Sequence, residues 1–469
     1  MLNDARIGRL HELLESRQIS AEELITAVLE RISTLETTLN AFITITPEQA
    51  LADAQAVDAS IARGEAIGPL AGIPVALKDN ICTEGVRTTC GSRMLEHYVP
   101  PFSAVAYERL RQAGAVLVGK SNMDEFATGT TNKNSFFGAT ANPWSPDHIP
   151  GGSSGASAAS VAARQVCLSI GSDAGGSVRV PAAHCGVVGL KPTYGLIPTD
   201  GLAECAPSLE HLGPLTLDVT GCALALQVLT AGEDYTAYLG RDIRGLRIGI
   251  PQEYLEQADP QVRSLFDSAV QMLTGLGAEV EETSLPHTQS APASYFTISA
   301  AEAFSNLSNF DGVRFGHRAE ARHLHEMYRK TRTEGFGPDL RRRLIFGTLA
   351  LSADHYEEYY LNAQKIRTLV CRDFDQAFSK FDLLLTPTVP TPPPAASLGQ
   401  DELEMRLQGR YAMPANLAGI PALSLPIGFA GELPVGLQLL APSLGEGTLL
   451  SAAYALEQLV GFYRHAPKI

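Results

Sequence analysis

The sequence predicts an α/β fold in which helices cover both faces of a sheet. From Leu70 onward the pattern alternates: Ile73–Leu77 is an apolar strand, Ala104–Gly114 an amphipathic helix, and Ala115–Val118 a second buried strand. Further on, a small-residue segment suited to a tightly packed helix leads into the apolar run Val166–Ile170, which suits a buried strand. Apolar residues make up 45% and charged residues 19%, enough to bury a large core.

The elements follow in order. Ser20 and Glu23 form a capping box, and Leu24, Val28 and Ile32 then recur at helical spacing. Asn40–Ile45 alternates as a short strand, and Thr46-Pro47 supplies the N-cap and first position of a second helix. Thr128–Pro143 is polar and reads as an irregular loop. Leu190–Gly195 and Gly201–Gly213 give turns and short strands, and Gly245–Pro251 another strand. Asp259–Lys380 is mainly helical, with a loop at Gly335–Gly337. Phe381–Pro387 returns to a strand, and Pro387–Pro394 is an extended connector. Met413–Pro426 and Leu433–Leu440 close the sheet, and Pro442–Gly445 turns the chain into a last helix. With no internal repeat and no break in composition, residues 1–469 are expected to form a single domain.

Composition narrows the function. The net charge is −15 and the pI about 5.2. The best basic run is Arg341-Arg342-Arg343, and three arginines on a helix make a solvated or salt-bridged face. Seven cysteines without a CxxC pair or zinc-finger spacing point to reduced thiols, with no metal site expected. Met1–Arg17 lacks the apolar core of a secretory signal, and no apolar run approaches membrane-spanning length. A cytoplasmic protein is expected.

Chemistry concentrates between Pro150 and Gly195. Two clusters, Gly151-Gly152-Ser153-Ser154 and Gly175-Gly176-Ser177, bracket the small-residue segment and the buried run. Glycines beside a serine admit close substrate approach and positive φ. Successive N–H groups at Ala174, Gly175, Gly176 and Ser177 are the natural donors to an oxyanion. A single GGS triplet by itself reads as a plain turn, but two such clusters around a buried strand, followed by Arg179 and Pro181, favour chemistry. His184, seven residues after Ser177, reads as a packed core histidine, and no GxSxG elbow surrounds either serine. The other base on offer is Lys78, which ends the strand Ile73–Leu77; burial there would lower its pKa, whereas a surface lysine would be inert.

These residues resemble the amidase signature enzymes, whose catalytic set is Ser–cisSer–Lys. Ser153 and Ser177 lie 24 residues apart, the family's separation. The resemblance covers nearly the whole chain and implies Lys78 as base, Ser153 as proton bridge through a cis peptide, and Ser177 as nucleophile. It also implies one α/β/α sandwich with a central mixed sheet, with the signature core at about 65–215 and a helix-rich segment at about 258–380.

Within the family, Ala301–Arg314 and Gly335–Thr348 are most similar to the branch that releases ammonia from glutamine for tRNA-dependent amidotransferases. That similarity implies partner B and C subunits in a heterotrimer. ATP, Mg²⁺ and charged tRNA would be held by the B subunit, with no cofactor in this chain. It implies Arg343 as the residue that binds the substrate's α-carboxylate, with Tyr295 lining the pocket. Three departures stand out. Gly129-Thr130-Thr131 replaces a Gly-Ser-Ser run, Ala156 and Ala174 replace Gly and Thr, and Gly409-Arg410 stands where an aspartate is expected for the α-ammonium group. The last favours a second reading, a stand-alone amidase on another small amide; a third is a scaffold without activity.

Overall fold

The computed structural model describes residues 2–397 and 405–469; Met1 and 398–404, which the single-domain expectation includes, lie outside the described residues. Eleven strands form one mixed sheet: β1 (Phe42–Ile45), β2 (Pro74–Lys78), β3 (Val116–Ser121), β4 (Leu168–Ser172), β5 (Val188–Lys191), β6 (Leu212–Thr216), β7 (Arg247–Pro251), β8 (Glu279–Thr283), β9 (Leu383–Pro387), β10 (Ala422–Ala430) and β11 (Leu433–Leu440). Their spatial order is β1-β3-β2-β4-β6-β5-β10-β11-β9-β7-β8. β2 runs parallel to both β3 and β4, and β7 parallel to β8 and β9. The antiparallel pairs β4–β6, β6–β5, β5–β10, β10–β11 and β11–β9 join the two parallel groups. Central strands such as β2, β4 and β9 are buried at every residue, which explains their unbroken apolar runs.

The expected elements fall close to their predicted places. Ser20 and Glu23 close the capping box of the helix Ala21–Leu39 in both directions. Pro47 opens the helix Pro47–Ala62, but the Thr46 hydroxyl caps nothing; it donates to Leu117 O at 3.0 Å and ties the loop to β3. Two expectations need correction. β8 lies inside the stretch read as helical; its sequence EVEET is half-exposed edge, with no apolar run to announce a strand. Met413–Ala418 is a helix with Pro414 in its first turn, so the sheet resumes only at Ala422.

Two short helices position the chemistry. Gly155–Ala162 and Arg179–Cys185 pack on each other, and the second also covers β5, β10 and β11. Gly155–Ala162 is buried at every residue; its Gly, Ala and Ser side chains leave room for nothing larger. In the second half, the helix Ala291–Leu307 packs on Pro338–Ala350 and on Asn362–Phe378. Gly347 brings the first pair together, since a Cβ there would strike Ala300 O. All seven cysteines are unpaired, six of them buried. Among the described residues no helix is long and apolar enough to cross a membrane.

Candidate active site

The parallel strands β2 and β4 end side by side, which puts Lys78 next to Ser172 at their carboxyl ends. Lys78 is fully buried. Its Nζ donates to Ser153 Oγ at 2.7 Å, to Ser172 Oγ at 3.0 Å and to Ser172 O at 3.2 Å. Asn80 Nδ2 donates to the same Ser172 Oγ at 3.0 Å. Burial pulls the Lys78 amine down to about 8, against the opposing charges of Glu210, Asp124 and Asp173. An amine in that range is available as a base near neutral pH.

The Gly152–Ser153 peptide is cis, and Ser153 is fully buried. Ser154 N donates to Ser177 O at 3.1 Å, so the two glycine–serine clusters are bonded to each other beside Lys78. Ser177 retains slight exposure, 7%, where Ser153 has none. Solvent therefore reaches Ser177 but neither Lys78 nor Ser153. His184 takes no part: it is buried, held neutral by a pKa of about 3, and its ring nitrogens bond nothing among the described residues.

The turn Ala174–Ser177 is held from behind by Asp173. Its carboxylate accepts from Gly176 N at 2.7 Å, Val178 N at 3.1 Å and Arg179 N at 3.4 Å. It also pairs with the buried guanidinium of Arg179 at 3.0 Å. Arg179 in turn donates to Ala412 O, Gln438 Oε1 and Asn416 Oδ1, and Asn416 Nδ2 returns to Asp173 Oδ1 at 2.9 Å. Despite full burial, this donor set holds the Asp173 carboxyl far below the usual carboxylate range. Of the four expected oxyanion donors, Gly176 N–H already donates to Asp173 Oδ1. The N–H groups of Ala174, Gly175 and Ser177 have no acceptor among the described residues.

Gly176 has φ of 106°, and a Cβ there would lie 2.6 Å from Ala412 Cβ. At Gly175 a Cβ would fall inside the Tyr295 ring. Tyr295 thus walls the turn. Burial raises its hydroxyl pKa, and Arg343 beside it holds the rise down. Arg343 Nη1 also donates to Ser299 Oγ, one turn along the helix from Tyr295, at 3.4 Å. The two residues expected to bind substrate are therefore brought together against the Ala174–Ser177 turn. Gly409 is buried there too; a Cβ at that position would sit 3.1 Å from Gly175 O.

Several groups at the site carry no sequence motif. Ser172 ends β4 and shares the Lys78 amine. Asp124 is buried and accepts from Thr131 N, Asn132 N and Asn134 N, shaping the Thr128–Pro143 loop beside Gly152. Glu210 is buried just ahead of β6, its pKa pushed up to about 7 by burial against the pull of Lys78. The one available hint was position: Ser172 ends β4, Asp124 lies just beyond the end of β3, and Glu210 lies just ahead of β6.

Residues 23–450 match the amidase family. Along 98% of its length the chain is 51% identical to the A subunit of glutamyl-tRNA(Gln) amidotransferase from Desulforamulus reducens, of which it covers 98%. The crystal structure of the A subunit of the Thermotoga maritima glutamyl-tRNA(Gln) amidotransferase is similar at TM-score 0.81 and 36% identity, covering 98% of this chain and 95% of that one. A peptide amidase bound to the competitive inhibitor chymostatin is similar at TM-score 0.85 and 30% identity, covering 99% of each chain.

Proposed function

This chain belongs to the amidase family, and from that premise we propose that it is the glutamine-hydrolysing subunit of a glutamyl-tRNA(Gln) amidotransferase. The observation that carries this reading is the near-complete alignment, at 51% identity, with the A subunit of such an enzyme. The site supplies what amide hydrolysis needs: a nucleophile, a base and donors for an oxyanion.

Neutral Lys78 takes a proton from Ser153 Oγ as Ser153 takes the proton of Ser177, and Ser177 Oγ attacks the side-chain amide carbon of glutamine. The free N–H groups of Ala174, Gly175 and Ser177 receive the oxyanion. As the tetrahedral centre collapses, the proton returns through Ser153 to the departing nitrogen, which leaves as ammonia; water then cleaves the acyl-serine. Arg343 takes the α-carboxylate, and Tyr295 closes the pocket over the turn. Liberated ammonia is consumed on a B subunit that binds ATP, Mg²⁺ and the mischarged tRNA, with a C subunit completing a cytoplasmic heterotrimer. The acidic charge of this chain, −15, fits a subunit that leaves tRNA to its partner.

Gly409 supports a second reading, a stand-alone amidase, because the carboxylate expected there for an α-ammonium group is missing. Trapping separates the readings from an inactive scaffold. Glutamine should leave a glutamyl ester on Ser177, seen by mass spectrometry after acid quenching, and Ser177→Ala should abolish ammonia release. Full turnover in Ser177→Ala would defeat the assignment.

A further inference from the structure

Beyond β3 the chain makes a short turn, Asp124-Glu125-Phe126-Ala127, whose neighbouring residues face two different parts of the molecule. Asp124 faces the serines. Its N–H donates to Ser153 O at 3.3 Å, and its carboxylate holds the loop beside Gly152. Glu125 and Phe126 face the second half of the chain. Glu125 is 4% exposed; its Oε1 accepts from Ser92 Oγ at 2.5 Å and its Oε2 from Gly337 N at 2.9 Å. Phe126 packs edge-on against Phe336, with ring centroids 5.8 Å apart. Phe126 and Ala127 have φ of 46° and 58°, a conformation that non-glycine residues keep only where their surroundings impose it.

Gly337 is the N-cap of the helix Pro338–Ala350 and brings no side chain to cap it. The Glu125 carboxylate, 212 residues away in sequence, accepts an N–H that the helix start leaves unpaired. The fit is close: a Cβ at Gly337 would lie 2.7 Å from Glu125 Oε2, and one at Gly335 would lie 2.6 Å from Met94 Cε. Ser92 Oγ lies 3.2 Å from Gly335 O, so the serine that donates to Glu125 also touches the junction before the helix. Arg343 stands in the second turn of that helix, beside Tyr295 and within reach of Ser299 Oγ. A packed helix shifts as a unit, so where it begins decides where Arg343 stands over the Ala174–Ser177 turn.

We propose that Glu125 is a positioning residue for substrate recognition: by capping the Arg343 helix on the turn that is bonded to Ser153, it fixes the distance between the carboxylate-binding guanidinium and the nucleophile. Ser154 N carries the link on to Ser177 O. The substrate class served is an amide that bears a carboxylate a few bonds from the carbon under attack. Glu125 itself touches no substrate. This rests on the reading of Arg343 as the residue that takes the α-carboxylate.

The test is steady-state ammonia release by the full chain and its variants, from glutamine and from a simple amide without a carboxylate. Glu125→Ala should raise KM for glutamine roughly 10-fold and leave kcat within about twofold, with KM for the simple amide unchanged. Glu125→Gln keeps an acceptor for Gly337 N and should recover most of the loss. Because Glu125 acts through Arg343, adding Glu125→Ala to Arg343→Ala should raise KM for glutamine no further. Circular dichroism identifies a variant that does not fold. If Glu125→Ala is one, Gly337→Ala, whose methyl group presses on Glu125 Oε2, carries the test with the same expectations. Additive effects in the double variant, or a fall in kcat on both amides with KM for glutamine unchanged, overturn the proposal while leaving Arg343 as the binding residue. A normal KM for glutamine in Arg343→Ala overturns the Arg343 reading and this proposal with it.

Discussion

Lys78 Nζ and Ser153 Oγ lie 2.7 Å apart with neither exposed to solvent. Seventy-five residues of chain separate them, and the sheet closes that distance by ending β2 beside β4. In the proposed mechanism Lys78 is the base, and the burial that lowers its affinity for a proton also keeps it from water.

Activity should therefore follow the deprotonation of Lys78. The neutral amine is the working form, so kcat/KM should rise with pH through a midpoint near 8 and fall away in acid. Lys78→Arg keeps a cation that never deprotonates in this range and should lower turnover by roughly 10³-fold or more at every pH. Ammonia release followed across the neutral and alkaline range checks both outcomes.

Gly175 should tolerate no side chain. In Gly175→Ala the methyl group displaces the Tyr295 ring or the turn itself. Loss of one aligned oxyanion donor should cost about 2.7–4 kcal/mol of barrier, a fall of about 10²–10³ in kcat. Steady-state kinetics with circular dichroism as a folding control would measure it.

Asp173→Asn should destabilise the fold as well as the site. It leaves the Arg179 guanidinium buried without its counter-ion, a loss of about 3–5 kcal/mol. The folded-state pKa of Asp173 is depressed, so its contribution is fully present above the unfolded carboxylate value of about 3.9 and is lost only as pH falls through the folded value. Thermal melts should show the same deficit at neutral and at mildly acidic pH.

Much of this candidate site is legible in the sequence because the residues proposed for catalysis sit in local patterns: Lys78 at the end of an apolar run, and Ser153 and Ser177 each after paired glycines. The Asp173 network is not legible, since Asn416 and Gln438 reach Arg179 across 237 and 259 residues. Only the strand order brings them together. Glu210 is hidden for a similar reason: its place depends on the register of β6 against β4 and not on its neighbours in sequence. The edge strand β8 has no buried face to impose alternating hydrophobicity, so its polar residues resemble those of the helices around it. Gly176 illustrates a finer limit: a GGS motif announces N–H donors without saying which one a carboxylate behind the turn will occupy.

Arg343 should act on glutamine binding and little on the chemical step. Arg343→Ala removes the cation beside Tyr295, and KM for glutamine should rise by about 10- to 100-fold, the equivalent of about 1.4–2.7 kcal/mol. Turnover of a simple amide without an α-carboxylate should be unchanged, and Arg343→Lys should recover only part of the loss because it cannot offer a planar fork.

The most direct test of the central claim is ammonia release from glutamine by the purified chain, alone and then with B and C subunits, ATP, Mg²⁺ and Glu-tRNA(Gln). The account predicts glutamine turnover that depends on Ser177 and rises when the partners and charged tRNA are added. Brisk hydrolysis of simple amides, with glutamine ignored and no response to the partners, would contradict it and identify a stand-alone amidase.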